Sequence, residues 1–200
     1  MEIKKLILGD LETNCYMLIF DEDIIVIDPA DEPNKIFDQA KKIGKPISYV
    51  LLTHGHFDHC NGAKALQESG AKVYMSKADA DMIEAGLDLA KYAGIEFNRF
   101  APCGYLSEGK QSLGKHLFDV YETPGHTAGG LAFLFDGELF CGDTLFFMGV
   151  GRSDLPTANK AQLVQSIKKL YSLQNANVYP GHGRSTTLNF EKENNPYVKA

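Results

Sequence analysis

Four apolar runs in this chain each break off into a glycine-flanked histidine or aspartate, and that arrangement limits the fold more than any other feature. Tyr49–Leu52 leads into Thr53-His54-Gly55-His56-Phe57-Asp58-His59, and Val120–Tyr121 into Pro124-Gly125-His126-Thr127. Leu139–Phe140 leads into Cys141-Gly142-Asp143-Thr144, and Val178–Tyr179 into Pro180-Gly181-His182-Gly183. Short apolar runs of this kind read as buried strands. Residues just past the ends of such strands emerge together at one edge of a sheet, where an adjacent glycine lets the backbone turn sharply. Of the 6 histidines, only His116 stands outside these loops, between Lys115 and an apolar strand, and it reads as a surface residue.

The rest of the chain supplies a frame for those loops. Strands are predicted at Lys4–Leu8, Cys15–Phe20, Ile24–Ile27, Ile47–Leu52 and Lys72–Met75, and later at Leu117–Glu122, Gly130–Phe135, Glu138–Cys141 and Asn177–Tyr179. Asp136-Gly137 between two of them is a two-residue hairpin signal. Helices are predicted at Pro33–Ile43, Asn61–Glu68, Asp79–Gly86 and Asn159–Leu170, with an irregular stretch through Pro102 and Gly104 and a helical tail. Two halves, each of strands followed by helices, predict an α/β protein with helices packed outside a pair of sheets.

Imidazole and carboxylate are the preferred nitrogen and oxygen ligands of zinc and similar divalent ions. The seven candidates, His54, His56, Asp58, His59, His126, Asp143 and His182, are too many for one tetrahedral ion. They fit two if one carboxylate bridges. A single histidine after a strand is more often a hydrogen-bonded structural residue, but H-x-H-x-D-H followed in order by two G-H loops and a G-D loop is not explained that way. No G-x-S-x-G elbow competes for the nucleophile.

Composition narrows the partners. A net charge of −6 with scattered Lys and Arg argues against a nucleic acid. The apolar run near the N-terminus is too short for a signal peptide, no later run spans a membrane, and the 4 cysteines form no C-x-x-C pair. The expectation is a cytoplasmic protein with reduced thiols, a small-molecule substrate, no membrane partner, and a monomeric or small homo-oligomeric state.

At these residues the chain resembles the metallo-β-lactamase superfamily, and within it the compact glyoxalase-II-like hydrolases. The resemblance runs from about Asn14 to Tyr197 and takes in Ile27-Asp28-Pro29 and Gly151-Arg152-Ser153-Asp154. It implies an αββα four-layer sandwich made by residues 1–200 as a single domain, without the C-terminal helical domain of full-length glyoxalase II. It implies that His54, His56 and His126 hold one metal, that Asp58, His59 and His182 hold another, and that Asp143 bridges. The cofactors implied are two divalent ions, zinc first, with iron or manganese as alternatives.

The activity implied is hydrolysis of a small thioester such as S-lactoylglutathione, a hydroxide between the ions attacking the acyl carbon. Asp58 and Asp143 are the catalytic candidates; should the substrate be an amide, Asp58 or a metal-bound water is the proton donor the resemblance implies. Asp28 resembles the family's early aspartate, which orients a ligand or the His54 loop; a turn-forming Asp before Pro29 reads equally well. Arg152 is placed either to meet a substrate carboxylate or to pair with Asp154. Cys60 and Cys141 are expected to point into packing. Gly109–Gly114 and the segment around Tyr92–Phe100 are candidates for a wall that replaces the absent helical domain. The alternatives are a mononuclear-iron persulfide dioxygenase acting on glutathione persulfide through His54, His126 and Asp143, and a lactone or other ester hydrolase.

Overall fold

Strands that are apolar on both faces need cover on both sides, and this chain provides it with two sheets pressed together and helices outside. The computed structural model describes residues 1–199. The first sheet contains, in spatial as in chain order, β1 (Glu2–Leu8), β2 (Thr13–Ile19), β3 (Ile24–Ile27), β4 (Ile47–Leu51), β5 (Lys72–Met75) and β6 (Gly104–Tyr105). The second draws on β7 (Gly109–Leu113), β8 (His116–Glu122), β9 (Leu131–Phe135) and β10 (Glu138–Gly142). After a small hairpin of β11 (Leu145–Phe146) and β12 (Gly149–Val150), it is completed by β13 (Asn177–Pro180) and β14 (Thr186–Thr187), in spatial order β14-β13-β10-β9-β8-β7.

Helices α1 (Pro33–Ile43), α2 (Phe57–Cys60), α3 (Ala63–Glu68), α4 (Lys77–Glu84) and α5 (Ala90–Ala93) lie in the crossovers of the parallel half of the first sheet. Helix α6 (Lys160–Tyr171) makes the crossover between parallel β10 and β13, and α7 (Leu188–Asn194) follows β14.

The two-residue period of a strand divides its side chains between cores. On β2 and β3, Cys15, Met17, Ile24 and Val26 point to the outer core under α1, α3 and α4, where Ile36, Leu66 and Ile83 meet them. Tyr16, Leu18, Ile25 and Ile27 point the other way, into a central core against Phe118, Val120, Phe133 and Phe140 of the second sheet. On the far side, Leu139 and Cys141 pack with Leu163, Ile167 and Leu170 of α6. Each face of each sheet is thereby covered, and the αββα sandwich implied by the resemblance is present.

The hairpin turn at Asp136-Gly137 has both φ angles positive, 47° and 84°, as a type I′ turn requires. Other expectations are corrected. His116 is buried: the alternation that points Phe118 and Val120 inward includes it, its Nε2 lies 2.9 Å from Asp23 Oδ1, and its ring packs on Phe20. Gly109–Leu113, for which no strand is predicted, is the edge strand of the second sheet. The helix expected from Asp79 begins at Lys77, with Ser76 as its cap accepting from the Asp79 N–H. No helix among the described residues is long and apolar enough to cross a membrane.

Candidate metal centre

All four strand ends that carry the motifs open on the same side of the sandwich. β4 delivers the His54–His59 loop from the first sheet; β8, β10 and β13 deliver His126, Asp143 and His182 from the second. The site therefore lies across the ends of both sheets, and all seven expected ligands are brought together. His54, His56 and His126 offer ligand atoms within 4.8 Å of one another, and so do Asp58, His59 and His182. Asp143 stands between the two groups, with Oδ2 3.5 Å from His126 Nε2 and 3.6 Å from His182 Nε2, and Oδ1 3.4 Å from His59 Nε2.

The imidazoles are held by their outer nitrogens. His126 Nδ1 donates to the Arg152 carbonyl at 2.9 Å and His182 Nδ1 to the Leu11 carbonyl at 3.0 Å. His59 Nδ1 donates to Asp28 Oδ2 at 2.9 Å. Thr53 Oγ1 donates to the same carboxylate oxygen at 2.6 Å, which leaves it to accept from His54 Nδ1 at 3.1 Å. When these four rings are neutral the proton is thus fixed outward and the Nε2 lone pair faces inward, the arrangement that prepares histidine for a metal.

The inner atoms fit that group. His54 Nε2 and Asp143 Oδ1 are buried with no hydrogen-bond partner. Two donors on one tetrahedral ion at roughly 2.0–2.1 Å stand about 3.3–3.4 Å apart. His59 Nε2 lies 3.3 Å from His182 Nε2 and 3.4 Å from Asp58 Oδ2, His182 Nε2 lies 3.3 Å from Asp58 Oδ2, and His56 Nδ1 lies 3.0 Å from His126 Nε2. Gly181 allows the last loop to come this close: a Cβ there would overlap Asp143 Oδ1 and stand 2.6 Å from His59 Cε1.

Electrostatics agree with the geometry. Burial, with other imidazoles nearby, holds His54 well below its ordinary pKa and His56 at about 3. Burial opposes charge on His59 as well, but Asp58, Asp143 and Asp28 outweigh it and lift that ring to about 10. Burial also opposes ionisation of Asp58, yet His59 and His182 hold it below the usual carboxylate range. The centre gathers negative charge that imidazoles alone can offset only by taking up protons. Divalent ions offset it with the rings neutral, the form in which histidine ligates.

Two further elements hold the loops. The first strands grip the last one: the Asn14 N–H donates to the Gly181 carbonyl at 2.7 Å, its Nδ2 to the carbonyls of Pro180 and Gly183, and the Tyr16 hydroxyl to Pro180 at 2.7 Å. Asp79, for which the sequence predicts only a place in a helix, ties two loops together. Its fully buried carboxylate accepts from the Gly55 N–H at 2.8 Å, the Gly129 N–H at 2.7 Å and the Thr127 hydroxyl at 2.7 Å. Asp79→Asn is expected to destabilise the protein by about 1–3 kcal/mol, because an amide cannot accept all three donors. A denaturation midpoint equal to that of the wild type would contradict this.

The Arg152 guanidinium is exposed and makes two bonds of 3.0 Å to Asp154. Cys60 Sγ donates to the His56 carbonyl and Cys141 Sγ to the Leu145 carbonyl, and burial raises both thiols, Cys141 to about 12. Tyr92 and Ile95, from the segment expected to form a wall, do line an open pocket beside the centre.

A profile of the metallo-beta-lactamase superfamily matches residues 8–182. A probable metallo-hydrolase of Streptococcus pyogenes serotype M6 is 35% identical over 98% of this chain and 90% of its own length. The hydroxyacylglutathione hydrolase GloC of Haemophilus influenzae is 30% identical over 100% of this chain and 99% of its own. Among solved structures, TTHA1623 in a di-iron-bound form superposes with a TM-score of 0.90 at 36% identity, covering 98% of this chain and 100% of that one.

Proposed function

The chain belongs to the metallo-β-lactamase superfamily and is a metal-dependent hydrolase, and from that premise we propose that it uses two ions to cleave a small thioester. The observation that carries this reading is the place of Asp143, within 3.6 Å of His59, His126 and His182 at once. A carboxylate so placed supports a bridge between two ions better than it supports a site for one. Zinc suits the donor set, and the di-iron form of TTHA1623 supports iron as an alternative. Two ions bound there would activate a water as nucleophile and polarise the carbonyl of the substrate.

The protein's own groups do the rest. Asp28, Leu11 and Arg152 fix the orientation of His59, His182 and His126 through their oxygens. Asp58, held ionised and accepting from the Thr13 hydroxyl at 3.2 Å, stays a carboxylate ligand. A thiolate leaves readily without a proton, so a thioester makes no demand that these residues fail to meet. The name of GloC supports S-lactoylglutathione as the first compound to try.

The test is the rate at which metal-replete protein hydrolyses S-lactoylglutathione, read together with metal content. Turnover that is lost on chelation and restored by metal, with about two ions per chain, is the expected result. A preparation with one iron that consumes oxygen with glutathione persulfide and releases no thiol from thioesters would replace this reading with the dioxygenase one.

A further inference from the structure

Beside the centre opens a pocket of about 660 Å³ whose wall is largely apolar, formed by Leu11, Phe57, Leu89, Tyr92, Ile95 and Leu155. Its lining residues neighbour the centre: Phe57 sits between His56 and Asp58 in the chain, the Leu11 carbonyl holds His182, and the Arg152 carbonyl holds His126. Two of its apolar side chains are notably open to solvent, Leu11 at 53% and Tyr92 at 77%. Apolar side chains clustered at the mouth of a polar site cost solvation unless a ligand covers them.

The charges near it select further. An adjoining opening of about 410 Å³ shares Leu11, Phe57 and Ile95, reaches Asp58, and is faced by Asp10, Asp31 and Glu32. Lys35, the cation among its described lining residues, is held by Glu32 at 2.7 Å, and Arg152 is held by Asp154. Glutathione brings two carboxylates against one ammonium, and to the carboxylates these surroundings offer acidic neighbours and cations already paired.

We propose that the natural substrate carries an apolar group of about four to eight carbons next to its scissile bond, and that this pocket, rather than any recognition of the glutathione peptide, sets specificity. The proposal rests on the hydrolase reading for its activity measurement but not for its binding measurement. The apolar group is either the acyl chain or the thiol.

Two series of thioesters distinguish these sources. One varies the acyl chain from acetyl to hexanoyl on N-acetylcysteamine; the other keeps acetyl and lengthens an alkanethiol. In one of them kcat/KM is expected to rise by up to about fourfold per methylene, the gain from burying each CH2. The best member is expected to exceed S-lactoylglutathione at least tenfold. Leu155→Asp, a half-buried position at the rim, is expected to cut the ratio of the longest to the shortest substrate about tenfold, with metal content and the thermal transition as controls for folding.

In parallel, calorimetry measures binding of S-alkyl thioethers of N-acetylcysteamine, which cannot be hydrolysed. Affinity that grows with alkyl length is expected, and if it appears without any thioester turnover, the pocket stands and the thioesterase reading falls. Turnover that is flat along both series and best with S-lactoylglutathione would overturn the pocket proposal and leave the hydrolase intact. Neither binding nor turnover would overturn both.

Discussion

Asp143→Ala is expected to yield a folded protein that holds less metal and hydrolyses thioesters roughly a thousandfold more slowly, a loss beyond the ten- to hundredfold typical for an outer hydrogen-bond partner of a ligand. The reasoning is positional. Asp143 faces His59 with one oxygen and His126 and His182 with the other, so its removal takes a donor from both groups of ligands at once. It also removes the negative charge that lies between them. The fold has little stake in this carboxylate, because its buried Oδ1 has no hydrogen-bond partner among the described residues. Metal analysis and turnover should fall together, and the rise in thermal midpoint that metal confers on the wild type should shrink. A variant with full metal content and full activity would remove Asp143 from the centre.

The second large effect is expected from Asp28→Asn. Asp28 adopts a left-handed backbone with φ 50°, a conformation asparagine tolerates, so this substitution changes the acceptor without straining the chain. An amide has one acceptor where the carboxylate has two oxygens receiving the Thr53 N–H, the Thr53 hydroxyl and His59 Nδ1. His59 loses its fixed tautomer directly, and His54 loses its own only through Thr53. Affinity for the ion held by Asp58, His59 and His182 is therefore expected to fall ten- to hundredfold, and the ion at His54, His56 and His126 to be held less altered. Competition with a chromophoric chelator separates the two steps. Equal weakening of both would mean that Asp28 acts on the loop as a whole and not through His59.

The ligand loops were legible because the requirement behind them is local: a donor just past a buried strand, with glycine where the backbone must pass close. Gly181 and Asp143 illustrate it, each written into the sequence beside the strand that carries it. Asp79 was not legible, since nothing in its own segment shows that Gly55, Thr127 and Gly129 converge on it. A helix predicted to begin at Asp79 gives that residue a sufficient reason to be there, because aspartate is favoured at a helix N-terminus. The actual cap is Ser76, which frees the Asp79 carboxylate to turn inward. His116 failed on length alone: extending the strand by one residue would have set it in phase with Phe118 and Val120. The edge strand Gly109–Leu113 is polar because only Leu113 is buried, so it shows no apolar run. The pocket wall depends on Leu11, Tyr92 and Leu155 meeting in space from distant segments, a property of the packed chain only.

The grip of Asn14 and Tyr16 on the loop from Pro180 to Gly183 has a consequence for the order of assembly. During synthesis the first strands emerge early, but the carbonyls of Pro180 and Gly183 that satisfy the Asn14 side chain arrive 166 and 169 residues later. Contacts of such long sequence separation are slow to form and come late. The donors of His54, His56 and His126 are all made before that point, while His182 comes with the closing loop. On the two-ion reading proposed above, the ligands His54, His56 and His126 are complete before that closure, whereas the set of Asp58, His59 and His182 is complete only once the loop carrying His182 has docked on Asn14.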